Sequence, residues 1–429
     1  ERVFPVDPKT EKRTREAGMH LWYIVRFDKD ADLKEAARQL RKLGEISKIQ
    51  SNPTLQRAYD PKKKTLYLSA SDLQHVTRTS EGLTFNDPGL KHQWHYRNAG
   101  NYDFVKKDRA EAIAGADVNC GEAWELCKGD PSIIVAVLDE GVMWSHPDLI
   151  ANMWTNEAEE IGSTEDKDGN GYKGDRYGYN FVKNTGVISW TSADDTGHGT
   201  HVAGTIAAEN GNSIGVSGIA GGDGNTGSGV KIMTCQLFDG QYGATLAAEA
   251  KAIKYAADNG AVVLQCSWGY NSPDANEALG YVPGPKNEQD WENQYPLEKE
   301  ALDYFIHNAG SPNGVIDGGL AIFASGNEYA PSSSFPAGYS KCISVSAIAA
   351  DYTPSSYTNY GAEITLCAPG GDGDYYGTPG VADDEFAWEG KTQGLILSTA
   401  IKNGQYAYAY MEGTSMACPH VSGVAALGL

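Results

Sequence analysis

Residues 132–141 read S-I-I-V-A-V-L-D-E-G, a continuous apolar run that ends in two carboxylates. An uninterrupted run of this length is typical of a strand buried on both faces, because a strand with one solvated face shows alternating polar residues. Further apolar runs of this kind occupy residues 230–237, 261–265, 320–324, 342–348 and 364–368. Asp139 is therefore expected at the carboxyl end of a buried strand.

Helix-like stretches lie between these runs, at residues 198–209, 245–258 and 299–308. Buried strands that alternate with helices predict an α/β fold, with a doubly wound, mostly parallel sheet covered on both faces. Functional side chains of such folds gather where the parallel strands end. We expect this domain to span residues 96–429.

The first part of the chain has a different pattern. Residues 1–17 are polar and predict a flexible N-terminus. Strand-like stretches at 21–27, 45–50 and 65–68, with an amphipathic helix at 32–43, predict a small α+β domain over residues 18–80. Residues 81–95 are predicted to link the two domains.

Charge is unevenly distributed along the 429 residues. The net charge is −21, but residues 1–89 carry +4 and residues 90–429 carry −25. A basic first part can dock on an acidic body; a merely acidic secreted protein explains the same numbers, and both interpretations stay open. The acidic body disfavours nucleic-acid partners, because it repels phosphates.

Cysteine content and hydropathy narrow the class of protein. Seven cysteines do not indicate a disulfide framework in a chain of this size. No stretch approaches the ~20 apolar residues of a membrane span, so no transmembrane segment is predicted. The chain begins at Glu1 and ends within a helix-like stretch. These ends indicate a processed or trimmed chain whose C-terminal part is missing.

Three separate motifs supply the parts of a nucleophilic site. Asp139 ends a strand, D-T-G-H-G-T-H puts His198 at the start of a helix, and G-T-S-M-A-C-P-H-V-S-G puts Ser415 at the mouth of another. Each residue alone is equally compatible with a turn or a helix cap. Together, in the order Asp, His, Ser, they match a catalytic triad of nucleophile, base and orienting group.

A fourth polar residue ends another buried strand. The stretch A-S-G-N-E places the Asn327 amide where it can stabilise developing negative charge, together with the Ser415 backbone N–H. In isolation, Asn327 is equally a turn residue after Gly326.

These motifs together resemble the subtilisin-like serine peptidase family, the subtilases. The resemblance rests on V-L-D-E-G, H-G-T-H-V-A-G, S-W-G, A-S-G-N-E and G-T-S-M-A-C-P-H-V-S-G, in the family's order. It implies that Ser415 is the nucleophile, His198 the general base and then acid, Asp139 the group that orients His198, and Asn327 an oxyanion donor. His201 matches a structural histidine of the family.

The same resemblance implies a substrate-binding segment. Ser267, Trp268 and Gly269 match the residues that pair with the substrate backbone and flank the specificity pocket. Glu140 departs from the small residue usual after the catalytic aspartate. Tyr270 is bulkier than the usual glycine, which leaves the width of the pocket open.

The layout of residues 18–80 resembles the family's prodomain, which assists folding and then inhibits. The resemblance implies a secreted, cell-surface or periplasmic endopeptidase in zymogen form, with polypeptide substrates and its own prodomain as an intramolecular inhibitor. Cleavage is expected in the connector at 70–90. Two alternatives stay open: a relative that transfers the acyl group to an amine, as a ligase or cyclase, and a catalytically silent binding relative.

Calcium is the expected ligand. The stretch D-K-D-G-N-G offers Asp166, Asp168 and Asn170 at alternate positions, although it is not a complete EF-hand and a hydrated turn is the alternative. A second set resembles the calcium loop of the family. Its members are Asp148, Asn212, Ile214 and Val216.

Overall fold

The computed structural model describes residues 1–56, 65–74, 85–101, 112–192, 194–310, 315–373 and 394–429. Its strands are β1 (Leu66–Leu68), β2 (Ile134–Glu140), β3 (Gly178–Asn180), β4 (Lys231–Asp239), β5 (Tyr242–Gly243), β6 (Val263–Cys266), β7 (Leu320–Ala324), β8 (Ile343–Ile348), β9 (Leu366–Pro369), β10 (Ile396–Lys402) and β11 (Gln405–Met411). Its α-helices are α1 (Glu11–Glu16), α2 (Leu33–Leu40), α3 (Ala70–Gln74), α4 (Cys120–Leu126), α5 (His198–Ala207), α6 (Leu246–Asp258), α7 (Glu288–Gln294), α8 (Pro296–Asn308) and α9 (Thr414–Gly428).

The central sheet has the order β3-β4-β2-β6-β7-β8-β9, with every neighbouring pair parallel and short β5 antiparallel to β4. Alternate residues of β2 enter two different cores: Val135 and Val137 face one, and Ala136 and Leu138 the other. The first core also holds side chains of α5 and α9, and the second those of α6 and α8. Helices thus cover both faces, which confirms the doubly wound α/β prediction.

A hairpin of β10 and β11 lies outside the main sheet and pairs with β1. It lies against α5, because Ser398 and Thr399 donate side-chain hydrogen bonds to backbone carbonyls of that helix. A Cβ atom at Gly204 would collide with both hydroxyls. The glycine therefore permits close contact between the helix and the hairpin.

Residues 1–17, predicted to be a flexible N-terminus, pack against the body over part of their length. This stretch contains α1, and Val3 and Phe4 are 2% and 0% exposed. Its few apolar side chains enter the core that also contains α6 and α8. The mostly polar composition of this stretch did not indicate the packing, because the packing depends on only two apolar side chains.

Residues 18–80 follow the prediction only in part. The amphipathic helix forms as α2, and β1 forms within the predicted strand at 65–68, but residues 21–27 and 45–50 are not strands. Among the described residues of this region, α2 buries no side chain, and β1 pairs with β11 rather than with a neighbouring strand. Residues 57–64 lie outside the described residues, and so do residues 75–84, which belong to the expected cleavage region at 70–90.

The described part of the predicted linker at 81–95 packs into the core. Leu90 and Trp94 are fully buried, and Trp94 Nε1 donates to the carbonyl of Leu395 at 2.9 Å. These apolar side chains make residues 85–95 part of the core that contains α5 and α9. Within the described parts of the chain, no helix has the length and apolar character that a membrane crossing requires.

Candidate active site

Strand β2 delivers a buried carboxylate to the carboxyl edge of the sheet. Asp139 is 2% exposed, and the pairing of β2 with β4 shifts in register between Asp139 and Glu140. The Asp139 Oδ1 atom accepts a hydrogen bond from the Glu140 backbone N–H at 2.6 Å. This contact fixes the orientation of the carboxylate.

His198 begins α5 and faces this carboxylate. Its Nδ1 atom lies 2.8 Å from Oδ1 and 3.0 Å from Oδ2 of Asp139. Gly197 precedes it with φ 74°, and a Cβ atom at Gly199 would collide with the carbonyl of Glu140. The two glycines let the helix enter steeply and lie against β2, so Nδ1 of the His198 ring faces Asp139.

Glu140 caps the same helix, a role that the sequence reasoning missed. Its Oε2 accepts hydrogen bonds from the backbone N–H groups of His198 at 3.0 Å and Thr196 at 3.1 Å. α5 has no side-chain cap from its own Gly197, so the carboxylate of Glu140 meets the positive end of the helix. The only indication of this role in the sequence was the position of Glu140 directly after Asp139.

Ser415 lies in the first turn of α9, beside the end of β6. Its Oγ donates to the carbonyl of Ser267 at 3.2 Å, and Ser267 Oγ donates to the carbonyl of Ser415 at 2.7 Å. Gly413 precedes the helix with φ 145°, a conformation that favours glycine. The reciprocal bonds join the predicted nucleophile to the predicted substrate-binding segment.

Asn327 follows β7 and contacts the start of α9. Its Oδ1 accepts hydrogen bonds from both the backbone N–H and the Oγ1 of Thr414, each at 2.9 Å. Because Oδ1 faces Thr414, the Nδ2 group of the same amide points the opposite way and is available as a donor. This arrangement brings the predicted oxyanion donor to the residue that precedes Ser415.

The predicted substrate-binding segment follows β6. Trp268 is 7% exposed and lies edge-on to Phe323, at 5.6 Å between ring centroids. A Cβ atom at Gly269 would lie 2.9 Å from the carbonyl of Phe335, so this position excludes larger residues. Tyr270 stacks on Tyr295 at 4.5 Å, and this contact directs its ring toward α8.

His201, one helical turn after His198, has a structural environment, as the resemblance implied. Its Nε2 donates to the carbonyls of Ile396 and Ala409, both at 3.0 Å. Burial lowers its pKa to about 3. A neutral ring therefore joins α5 to β10 and β11.

Two buried glutamates behind Tyr270 were missed. Glu298 accepts hydrogen bonds from Trp291 Nε1 at 2.6 Å and from the Tyr270 hydroxyl at 3.2 Å. Glu249, on α6, lies beside it; burial and then the charge of Glu298 raise the pKa of Glu249. Burial also raises the pKa of Glu298, to about 7. The two glutamates are far apart in sequence, so no local sequence pattern predicts that they meet.

The residues from Glu159 to Asp175, here called the carboxylate loop, contain the first predicted metal site. Ligand oxygens of Glu159, Asp166 and Asp168 lie within 4.8 Å of one another. Glu159 was not predicted. The Asn170 amide donates instead to Asp175, at 3.0 Å, so this predicted ligand supports the loop from outside the cluster. Three hard oxygen donors fit a divalent cation such as calcium.

The second predicted metal set is assembled, but as a hydrogen-bonded group. Asp148 accepts from the Asn212 side-chain amide at 2.7 Å and from the Val216 backbone N–H at 2.8 Å. The Ile214 N–H donates to the Asn212 side-chain oxygen at 2.9 Å. Burial raises the pKa of Asp148 well above its ordinary value. The four residues are thus brought together around the Asp148 carboxylate, and a calcium ion at this set stays a prediction.

Residues 50–55, here called the docked segment, lie on the first turns of two helices. Asn52 Oδ1 accepts from the Ala247 N–H of α6, and Gln50 Oε1 accepts from the Leu297 N–H of α8, both at 2.9 Å. The Leu55 N–H donates to the Ala244 carbonyl at 2.8 Å. Leu55 is 6% exposed and belongs to the same buried cluster as Trp268. The docked segment therefore packs against the side of the sheet that α6 and α8 cover.

Comparison with known proteins finds a matching family profile and several relatives that are named as proteases. A family profile described as "Subtilase family" matches residues 130–429. The chain is 30% identical over 305 residues to the thermophilic serine proteinase of Bacillus sp., covering 71% of this chain and 54% of the relative. It is 32% identical over 316 residues to halolysin of Haloferax mediterranei, covering 74% and 45%. An extracellular protease of Xanthomonas campestris is 28% identical over 416 residues, covering 94% and 56%.

The chain thus spans about half the length of these curated relatives. Two solved structures share its fold. A protease of Pseudoalteromonas arctica has a TM-score of 0.51 and 24% identity, covering 80% of this chain and 86% of that one. The Aeromonas sobria serine protease, solved with a chaperone, has a TM-score of 0.55 and 23% identity, covering 80% and 54%.

Proposed function

The chain belongs to the subtilase family, and on this basis we propose that it is a secreted serine endopeptidase that cleaves polypeptides through an acyl-enzyme. One observation carries the proposal: His198 Nδ1 lies 2.8 Å from Asp139, at the sheet edge where Ser415 begins its helix. The extracellular protease named among the relatives supports secretion.

The reaction begins when the Ser415 hydroxyl rotates away from the Ser267 carbonyl and gives its proton to His198 Nε2. The Oγ atom bonds to the scissile carbonyl carbon, and Asp139 stabilises the imidazolium that forms. Collapse of the tetrahedral intermediate breaks the C–N bond, and His198 donates its proton to the leaving amine. Water then cleaves the acyl-enzyme by the same steps and restores Ser415.

Negative charge on the carbonyl oxygen requires fixed donors. The Asn327 Nδ2 group and the Ser415 backbone N–H fill this role in the proposed mechanism. The two hydrogen bonds from Thr414 to Asn327 Oδ1 hold the amide in place before substrate arrives. No reorganisation is then needed when the charge develops.

We further propose that the chain is autoinhibited by its N-terminal part. The docked segment has main-chain and side-chain bonds to α6, α8 and Ala244. A basic first part on an acidic body adds charge attraction, as in the pair of Lys48 with Glu300 at 2.5 Å. In this proposal, polypeptide substrates bind only after the docked segment has left.

Calcium is proposed for the carboxylate loop, with Glu159, Asp166 and Asp168 as its ligands. The ion would neutralise three clustered carboxylates and so stabilise the loop. It would have no part in the peptidase steps, which the side chains of the triad perform.

The test is labelling with a fluorophosphonate probe, followed by mass spectrometry of products from a protein substrate. The unmodified chain, freed of its docked segment by limited proteolysis, is expected to be labelled at Ser415 and to release hydrolysed peptides. Ser415→Ala should show neither result. Ligated or cyclised peptides would favour the acyl-transfer alternative, and an unlabelled Ser415 would favour the silent one.

A further inference from the structure

The first 20 residues, here called the anchor segment, pack against the body of the protein through a few buried side chains. Val3, Phe4 and Met19 are between 0% and 2% exposed, and all three belong to the core that contains α6 and α8. Thr10 and Thr14, on the same segment, are 4% and 1% exposed. The anchor segment thus contributes side chains to the interior, as a secondary-structure element of the body does.

Its polar side chains converge on one carboxylate of the body. Asp258, at the end of α6, accepts hydrogen bonds from Arg13 at 3.2 Å and from Thr10 Oγ1 at 3.1 Å. The Tyr304 hydroxyl donates to the same carboxylate at 2.7 Å. Arg13 also donates to the Asn308 carbonyl at the end of α8. A carboxylate that is 10% exposed in its side chain would lose two of its donors without the anchor segment.

The anchor segment also touches the carboxylate loop. Pro5 occupies the space where Gly171 would carry a Cβ atom. Lys9 Nζ lies 3.7 Å from Asp168, one of the three clustered carboxylates. The segment therefore completes the packing of a loop that belongs to the body.

The next part of the chain is different. Leu21, Tyr23 and Val25 are 58–69% exposed, and α2 buries no side chain. The turn at residues 28–31 has three exposed positions. The docked segment, further on, binds mainly through backbone groups at helix ends. Trp22 still packs against the core, and its Nε1 donates to Glu300 at 2.5 Å. The thinly attached connection between the two attached segments is therefore residues 28–47.

We infer that the anchor segment is a permanent structural part of the catalytic unit and stays bound, without a covalent link, after the docked segment has been cut away. This inference rests on the proposed autoinhibition, because it divides the N-terminal part into a retained piece and a released piece. Loss of the anchor segment would leave the sites of Phe4 and Met19 open in the core, which is costly. Loss of the docked segment removes one buried side chain, that of Leu55, from the same core, since residues 51–54 are exposed.

The test uses Ser415→Ala, so that its result does not depend on the chain's own activity. A recognition sequence for a site-specific protease is inserted in the turn at residues 28–31, and the folded protein is cut there. We expect the N-terminal peptide to co-elute with the remainder in gel filtration at about 1 μM protein. Separate elution of that peptide would overturn the inference, whatever the outcome of the peptidase assays.

Two variants of the cut protein identify the contacts responsible. Phe4→Ala with Arg13→Ala is expected to speed dissociation of the peptide at least about tenfold, because truncation at a well-packed interface acts mainly on the off-rate. The matched control is Val6→Ala with Lys12→Ala, whose side chains are mostly exposed and which should leave the rate unchanged. Equal rates for the two double variants would contradict the inference, since the named contacts would then contribute no binding.

Discussion

Glu140 Oε2 accepts a hydrogen bond from the backbone N–H of His198 at 3.0 Å, while the neighbouring Asp139 holds the ring of the same histidine. Two consecutive carboxylates therefore position one residue, one through its backbone and one through its side chain. Glu140 touches none of the reacting atoms, so we regard it as a positioning residue.

Glu140→Ala should lower both stability and activity. Removing a helix cap costs about 1–2 kcal/mol in free energy of unfolding, and a displaced His198 should reduce kcat roughly tenfold with little change in KM. Urea unfolding and steady-state kinetics measure the two effects. Glu140→Gln should recover part of both, and the exposed Glu277→Gln is the control. An unchanged kcat in Glu140→Ala would contradict the positioning role.

Asn327→Asp should separate oxyanion stabilisation from folding. The carboxylate keeps an oxygen acceptor for Thr414 but loses the Nδ2 donor and adds an unfavourable negative charge. We expect kcat to fall about 10²–10³-fold, while the temperature of unfolding stays close to that of the unmodified chain. Asn327→Ala should lose kcat and also stability, because Thr414 then has no acceptor. Equal losses of stability in both variants would contradict this separation.

Glu249→Gln should stabilise the protein at alkaline pH. Burial raises the pKa of Glu298 to about 7, and burial with the charge of Glu298 raises the pKa of Glu249. The stability that the neutral Glu298 carboxyl provides is therefore complete below about pH 4.5 and is lost as pH rises through about 7. Removing one titratable group should therefore increase the free energy of unfolding by roughly 1–2 kcal/mol near pH 8.

Urea unfolding at about pH 5 and about pH 8 tests this expectation. The gain should be present at the higher pH and much smaller at the lower one. A gain of equal size at both values would assign the effect to packing rather than to ionisation.

Buried histidines should make the fold sensitive to acid. Burial lowers the pKa of His146 to about 4, and its ring donates from Nε2 to the Ala407 carbonyl while Nδ1 accepts the Asp148 N–H. Because the unfolded histidine binds a proton at about pH 6.5, stability is complete above that value and falls as pH drops toward 4, by roughly 3 kcal/mol for this group. His201 and His420 should act in the same direction.

The slope of unfolding free energy against pH measures the effect. His146→Gln should make the slope shallower by about one proton between pH 6.5 and pH 4. The control is His307→Gln, on the outer part of α8. An identical slope in His146→Gln and the unmodified chain would rule out His146 as a source of acid sensitivity.

Removing calcium should destabilise the carboxylate loop. A chelator is expected to lower the temperature of unfolding by about 5 °C, because an ion that binds the folded state alone stabilises it by mass action. Asp166→Asn with Asp168→Asn should abolish both this shift and the calcium heat in titration calorimetry. Asp148→Asn is the comparison and should retain both. Loss of the shift and of the calcium heat in Asp148→Asn, but not in the double variant, would instead assign the ion to the Asp148 group.

Much of the sheet and the site followed from local patterns. Apolar runs identified β2, β4, β6, β7 and β8, because a strand buried on both faces must be apolar throughout. The residues of the proposed triad and Asn327 each stand at a strand end or helix start, so parallel strands bring them to one edge. The predicted strand at 21–27 did not form because a strand needs a continuous hydrogen-bonded partner, and this stretch has only an isolated bridge between Arg2 and Tyr23.

The sequence by itself therefore determined the α/β class, the family motifs and the residues of the proposed triad, since each depends on periodicity or on short, ordered spacings. Tertiary structure alone decided that Glu140 caps α5, that Glu249 meets Glu298, and that Phe4 is buried in the core. These contacts join residues distant in sequence, or depend on how a chain turns at a strand end. Their energies come from burial and charge in the folded interior, which no local pattern records.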